Sequence, residues 1–213
     1  MLTVMNHLET PTDTKLEELF DQHDGLLERH ELNEAGIHPR TLARWLETGR
    51  IERIHRGLYR ASNTYINHQE LLEVWLAAPY SVICLISALQ FHQIGTAVAG
   101  RVYLAVPRNH RAPKLEFPPI EVHHFPKTIF EHGIEQHEIG GRLVPIYSLE
   151  KTLADLLRYQ RFTGRDVFLE GLQHYLKRKN RNLKALLEAA RICKVEEKMQ
   201  TYVEALINNS LDS

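Results

Sequence analysis

The chain has only two cysteines among its 213 residues, Cys84 and Cys193. Far apart and set among apolar neighbours, they offer neither a disulfide framework nor a metal-ligand spacing, which points to reduced, buried thiols. Long apolar stretches are missing too. The longest, VICLI at 82–86, falls far short of the about 20 residues that cross a bilayer. The first residues, MLTVMNHLETPTD, have no basic segment leading into an apolar one, so no signal peptide is expected and a cytoplasmic location is. The formal net charge is only −1, so any nucleic-acid surface must be a local patch and not a property of the whole chain. No phosphate-cradling glycine loop, internal repeat or low-complexity tract occurs.

What is present is ordinary globular material. Apolar residues make up 43% and charged residues 25%, which excludes a disordered chain and is enough for two small cores. The charges are unevenly spread. Residues 1–25 hold six Asp/Glu against one Lys/Arg, whereas residues 38–60 hold six Arg against two Glu.

Periodicity organises the N-terminal part. Leu16, Leu19 and Phe20 fall at helical spacing behind Asp13, a candidate N-cap, and Asp24-Gly25 marks a stop. A short helix is expected from about Glu28 to Ala35, closed by Gly36. Pro39 suits the first turn of a third helix, with Leu42, Trp45 and Leu46 as its apolar stripe and Gly49 beyond its end. Residues 50–61 alternate as a hairpin turning at Gly57. Helix, helix, turn, helix, hairpin is the order of a winged helix-turn-helix, here assigned to residues 1–64.

Residues 65–213 differ in character. Two helices (about 70–78 and 84–92) precede four strand candidates at 101–106, 120–125, 134–139 and 142–147, and four helices follow. The fold class read from this order is α+β: a winged helix-turn-helix, then a mixed domain with a small sheet and C-terminal helices.

On the third helix, Arg40 and Arg44 oppose the apolar stripe, flanked by Thr41 and Thr48. A helix fits the major groove, and arginine matches guanine edges and phosphates. The hairpin adds Arg50, Arg53, His55, Arg56 and Arg60, suited to positioning contacts on phosphates. These nine residues are the candidate DNA-binding set. Charged faces of amphipathic helices are commonly just solvated, so the element order, not the arginines alone, carries the reading.

The stretch AGIHPRTLARWLETGRIERIHRGLYR resembles the N-terminal winged helix of the AbiEi antitoxins: a Gly-Ile start, a helix with spaced leucines, a basic strand, then Arg-Gly-x-Tyr. VICLISALQFHQIG, RVYLAVP and VPIYSLEKTLADLLRY are similar to later segments of the same family. The resemblance covers nearly the whole chain from about residue 13. It implies a cytoplasmic regulator that binds inverted repeats in its own promoter and represses it. It also implies the antitoxin of a type IV pair, often tied to phage defence. There the C-terminal domain counters a nucleotidyltransferase-like toxin without a stable complex. Lys151, Thr152 and Asp155 on the family-like helix are the candidate antitoxin surface; pairing of Asp155 with Lys151 or Arg158 across one turn is the structural alternative. Two departures stand out. LLERHEL lacks the capping Ser or Thr of the second helix, and His38 replaces a Ser before the third, each expected to cost about 1 kcal/mol of capping.

No active site, metal or cofactor is expected. His123, His124, His132 and His137 cluster in sequence, but neighbours on a strand face opposite sides. Glu116 and Glu121 raise a metal-dependent nuclease, against which the lysine usual after the second acid is absent. Ser148 with Lys151, and Ser87 with His92, lack the surroundings of a nucleophile. A stand-alone winged-helix regulator and a protein-binding winged helix remain the alternatives.

Overall fold

The computed structural model describes residues 11–115 and 117–211. The chain divides into two compact units: residues up to Gln69 together with Glu138–Arg142, and Glu70–His137 together with the rest from Leu143.

In the first unit, helix α1 (Pro11–Gln22) leads to strand β1 (Leu26–Glu28), helix α2 (Arg29–Glu34), helix α3 (Pro39–Glu47) and the hairpin β2 (Ile51–His55) and β3 (Leu58–Ala61). The three strands form one antiparallel sheet in the order β1-β3-β2, with Leu27 opposite Tyr59 and Glu52 opposite Arg60. This is a winged helix: three helices on a three-stranded sheet whose last hairpin is the wing. Its core joins Leu16 and Phe20 of α1 to Leu42 and Trp45 of α3 and to Ile51 and Tyr59 of the sheet. The Phe20 and Trp45 rings stack at 6.4 Å. Each such side chain contributes roughly 1.5–3 kcal/mol of burial. At the wing turn Gly57 holds φ +84°, and its carbonyl accepts the Arg29 N–H at 2.7 Å.

Several local expectations are corrected. The first helix starts at Pro11, so Asp13 lies within it, and its carboxylate is buried against Arg44 and Trp45. The second helix does have a cap: Glu28 and Glu31 form a reciprocal capping box, with Glu31 accepting the Glu28 N–H at 2.6 Å. The third is capped as well, because His38 Nδ1 accepts the Arg40 N–H at 3.1 Å. An acceptor atom at the right reach is what capping needs, and glutamate and neutral histidine supply one.

The second unit opens with α4 (Gln69–Ala77), β4 (Val82–Ile83) and α5 (Leu85–Phe91). Next come β5 (Val102–Pro107), β6 (Ile120–Phe125), α6 (Lys127–Phe130), β7 (Ile134–Ile139) and β8 (Arg142–Tyr147). The chain closes with α7 (Leu149–Arg158), α8 (Gln160–Thr163), α9 (Arg165–Lys177), α10 (Leu183–Ile192) and α11 (Glu196–Leu211). The sheet order is β6-β5-β4-β8-β7. Two-residue β4 is its centre, antiparallel to β5 and parallel to β8 through the pair Ile83–Ile146. β5 and β6 run parallel, joined by the proline-rich loop. Leu153, Leu156 and Leu157 of α7 pack with Leu85 and Leu89 of α5 and Phe168 of α9 in one core. Gly133, at φ +71°, lets the loop before β7 come close to α7, where a Cβ would lie 2.7 Å from that of Lys151. No described helix is long and apolar enough to cross a membrane.

Candidate nucleic-acid interface

Helix α3 anchors itself through Leu42 and Trp45, which are buried, and leaves Arg40, Ala43 and Glu47 exposed on the outward stripe. Arg40 forms no ion pair with a described residue and is free to meet an anion. Thr41 is half-buried beside it. Thr48 is exposed, but its hydroxyl is used at 2.9 Å on the Arg44 carbonyl.

Arg44 is already occupied. Its guanidinium bonds the Asp13 carboxylate, whose Oδ1 also accepts the Trp45 indole N–H at 2.6 Å. With only 4% of the Asp13 side chain exposed, this acid is the buried pin that holds α1 to α3. Arg50 is held in the same way by Glu17 of α1 and lies 4.3 Å above the Trp45 ring. Arg60 is bound by Glu52 at 2.5 Å and by Gln69. The run of arginines along residues 38–60 therefore splits: Arg44, Arg50 and Arg60 brace the fold, while Arg40, Arg53 and Arg56 keep their charge in solvent. Arg53 donates to the His55 carbonyl at 3.3 Å, across the irregularity in the β2–β3 register, and Arg56 stands at the turn itself. His55 is half-buried. The acids that claim Arg44 and Arg50 lie more than thirty residues upstream, so helical geometry around the arginines gives no sign of them.

Glu47 departs from its expected partner. A helical neighbour, Arg44, is in reach by sequence, yet Arg44 points to Asp13, and Glu47 has no ion pair among the described residues.

The Lys151, Thr152 and Asp155 side chains do not form a surface: all three are fully buried. This corrects the antitoxin-surface expectation. Lys151 Nζ bonds the Asp155 carboxylate one turn away and sits 4.1 Å from the centre of the Tyr147 ring and 4.9 Å from that of Phe125. Cys193 Sγ donates to the other Asp155 oxygen at 3.3 Å. Burial pushes the Asp155 carboxyl above the usual carboxylate range, and the Lys151 ammonium opposes that shift. Burial likewise raises the Cys84 and Cys193 thiols, so neither is a ready nucleophile.

The other constellations have structural roles. Glu121 pairs with Arg101 at 3.0 Å, and Glu116 lies outside the described residues. Ser148 caps α7 through the Lys151 N–H. Ser87 Oγ accepts the Tyr103 N–H at 3.0 Å, whereas His92 Nε2 donates to the Tyr147 carbonyl at 2.7 Å. His124 is exposed and reaches the His110 carbonyl, while His123 is sandwiched near Tyr103 and Tyr159, so the two diverge. Among the described residues, no group of three or more His, Cys, Asp or Glu is placed to hold a metal ion.

Residues 15–62, which span the winged helix, match the family described as "Transcriptional regulator, AbiEi antitoxin". Among solved structures, the Rv2827c protein from Mycobacterium tuberculosis is similar in fold, with a TM-score of 0.56 and 14% identity over 92% of this chain and 82% of that one. No curated protein sequence matches the chain. In its winged helix, over residues 15–62, the chain is similar to the AbiEi antitoxin family of transcriptional regulators.

Proposed function

We propose that the protein is a DNA-binding antitoxin and autorepressor. Its winged helix, residues 1–64, engages inverted repeats in its own promoter, and residues 65–213 provide the activity that counters a nucleotidyltransferase-like toxin without a stable complex. On this reading it is a type IV antitoxin of the phage-defence kind, acts in the cytoplasm and is not an enzyme. The observation that carries it is a winged helix whose α3 and wing hold Arg40, Arg53 and Arg56 exposed and outside every ion pair among the described residues. The family match over the same segment supports the regulatory half.

The division of labour follows from the contacts. Arg40 and Thr41, in the first turn of α3, are placed for base or first-phosphate contact, the usual role of that end of a recognition helix. Arg53 and Arg56, with His55 beside them, act on phosphates. Arg44, Arg50, Arg60 and Thr48 shape the surface from behind, through the bonds described above.

The test is titration of a labelled duplex carrying the gene's own upstream region, at several salt concentrations. Arg40→Ala should weaken binding to that duplex by about 1–3 kcal/mol and relax sequence choice at one position. Equal affinity for this duplex and a scrambled one, unchanged in Arg40→Ala, would sink the repressor reading. The antitoxin half is tested by whether co-expression relieves growth arrest caused by a neighbouring nucleotidyltransferase-like gene.

A further inference from the structure

We propose that the loop between α9 and α10 is a second contact surface for duplex DNA, gripping the phosphate backbone without reading sequence. The inference rests on the DNA-binding reading above and extends it to a part of the chain outside the winged helix.

Lys177, Arg178, Lys179, Arg181 and Lys184 fall within eight residues, and no Asp or Glu occurs anywhere from 171 to 187. In a chain whose charges otherwise nearly cancel, this is a local cationic patch of the kind that a polyanion requires. Lys177, Lys179, Arg181 and Lys184 are exposed, and none makes an ion pair with a described residue. The same segment lines a shallow, open cleft of about 600 Å³, bounded by Lys179, Asn180, Arg181, Asn182 and Leu183.

A solvated lysine run would be loosely held, but this one is braced. The Tyr175 hydroxyl accepts the Asn182 N–H at 2.7 Å and donates to Glu150 at 2.8 Å. Arg178 spends its guanidinium on the His92 carbonyl at 2.9 Å, and Arg181 bonds the Arg178 carbonyl at 3.1 Å. Asn182 in turn accepts the Ala185 N–H at 3.0 Å. The backbone is thereby fixed before any ligand arrives, which lowers the entropy cost of binding. On that backbone Lys177, Lys179 and Lys184 keep exposed ammonium heads, suited to a rigid row of phosphates.

The chemistry favours a duplex over a single strand. Single-strand grooves interleave cations with exposed aromatic rings on which bases stack. Here the one Phe, Trp or Tyr between 171 and 187 is Tyr175, and it is buried. No side chain in the patch offers a carboxylate to read cytosine, and its one apolar member, Leu183, is half-buried against the core.

The experiment compares the full-length protein with Lys179→Ala/Arg181→Ala/Lys184→Ala and, separately, with Arg53→Ala/Arg56→Ala, on a labelled DNA duplex of mixed sequence. Each phosphate left without its cation should lower the slope of log affinity against log salt by about 0.9. The loop variant should therefore show a slope shallower by about two to three and an affinity reduced roughly tenfold or more at low salt, while its choice of sequence is unchanged. Because the three side chains are exposed, its melting temperature should match that of the parent, and Lys179→Glu/Lys184→Glu should weaken binding further. If the slope falls in the wing variant and not in the loop variant, the second surface is refuted while the winged helix stands. If it falls in neither, the DNA-binding reading itself fails. Weakened binding to duplex RNA with unchanged binding to duplex DNA also overturns the assignment.

Discussion

The two units treat charge in opposite ways. The winged helix ties Arg44, Arg50 and Arg60 to carboxylates at its margins, where the arginines keep part of their solvent exposure. The partly exposed pairs, Arg50–Glu17 and Arg60–Glu52, contribute about 0–1 kcal/mol and shape a surface more than they stabilise it, whereas the partner of Arg44, Asp13, is itself buried. The second unit places Lys151 and Asp155 at its centre with no solvent exposure at all. A pair in that position is costly to desolvate, and removal of either partner leaves a bare charge in the core. The contrast teaches that a cation paired with an acid braces the margin of one unit across separate elements and forms a sealed pivot within one helix of the other.

The comparison is broken most severely at the pivot. Asp155→Ala should destabilise the second unit by about 3–5 kcal/mol, because Lys151 would remain buried without its partner, and urea unfolding measures this. The double change Lys151→Met/Asp155→Leu should recover most of that stability; failure to recover would mean that the pair does more than balance charge. Next comes Asp13→Ala, the one margin acid that is itself buried. It should cost about 2 kcal/mol, since the Trp45 indole N–H is deprived of its acceptor. An effect as small as that of Glu17→Ala would show that Asp13 behaves as a surface acid.

Arg56→Ala sharpens the contrast from the other side. It should leave unfolding free energy within about 0.5 kcal/mol of the parent while weakening duplex DNA binding several-fold, as read by fluorescence anisotropy. Arg44→Ala should do the reverse, affecting stability more than affinity, because its guanidinium is committed to Asp13.

The smallest effect concerns pH. His123 is held below the ordinary imidazole range, chiefly because burial disfavours its charged form, and its Nε2 is buried with no hydrogen-bond partner among the described residues. Well above that range the ring is neutral in both the folded and the unfolded chain. As the pH drops through about 6.5 the unfolded chain takes up a proton that the folded one refuses, so stability falls. His123→Phe should flatten that acid decline in thermal melts without lowering stability at mildly alkaline pH. An unchanged acid decline would place its origin elsewhere, His92 being the other histidine lowered by burial among the described residues.

Much of the architecture is legible in the sequence because it is local. The α3 stripe of Leu42, Trp45 and Leu46, the stop at Gly49 and the Gly57 turn specify a helix and hairpin by spacing and backbone preference alone. The strands at 102–107 and 142–147 are visible for the same reason. Strand β4 is hidden because two residues within the apolar run 82–86 show no period, although they sit at the centre of the sheet. β1, at three residues, is too short to stand out beside the Asp24-Gly25 turn. The site divides in the same way. Arg40 and Arg56 are legible as outward cations, whereas the claim of Asp13 on Arg44 spans 31 residues and follows from packing of α1 on α3.

By itself the sequence determined most of the elements, their order and the cationic character of the third helix and wing, and it offered Lys151 or Arg158 as a one-turn partner for Asp155, all consequences of short-range spacing. Only the tertiary structure decided which arginines remain available and that the Lys151–Asp155 pair is sealed in a core. Exposure depends on what other parts of the chain bring against a residue, and those parts are set by long-range packing of apolar faces.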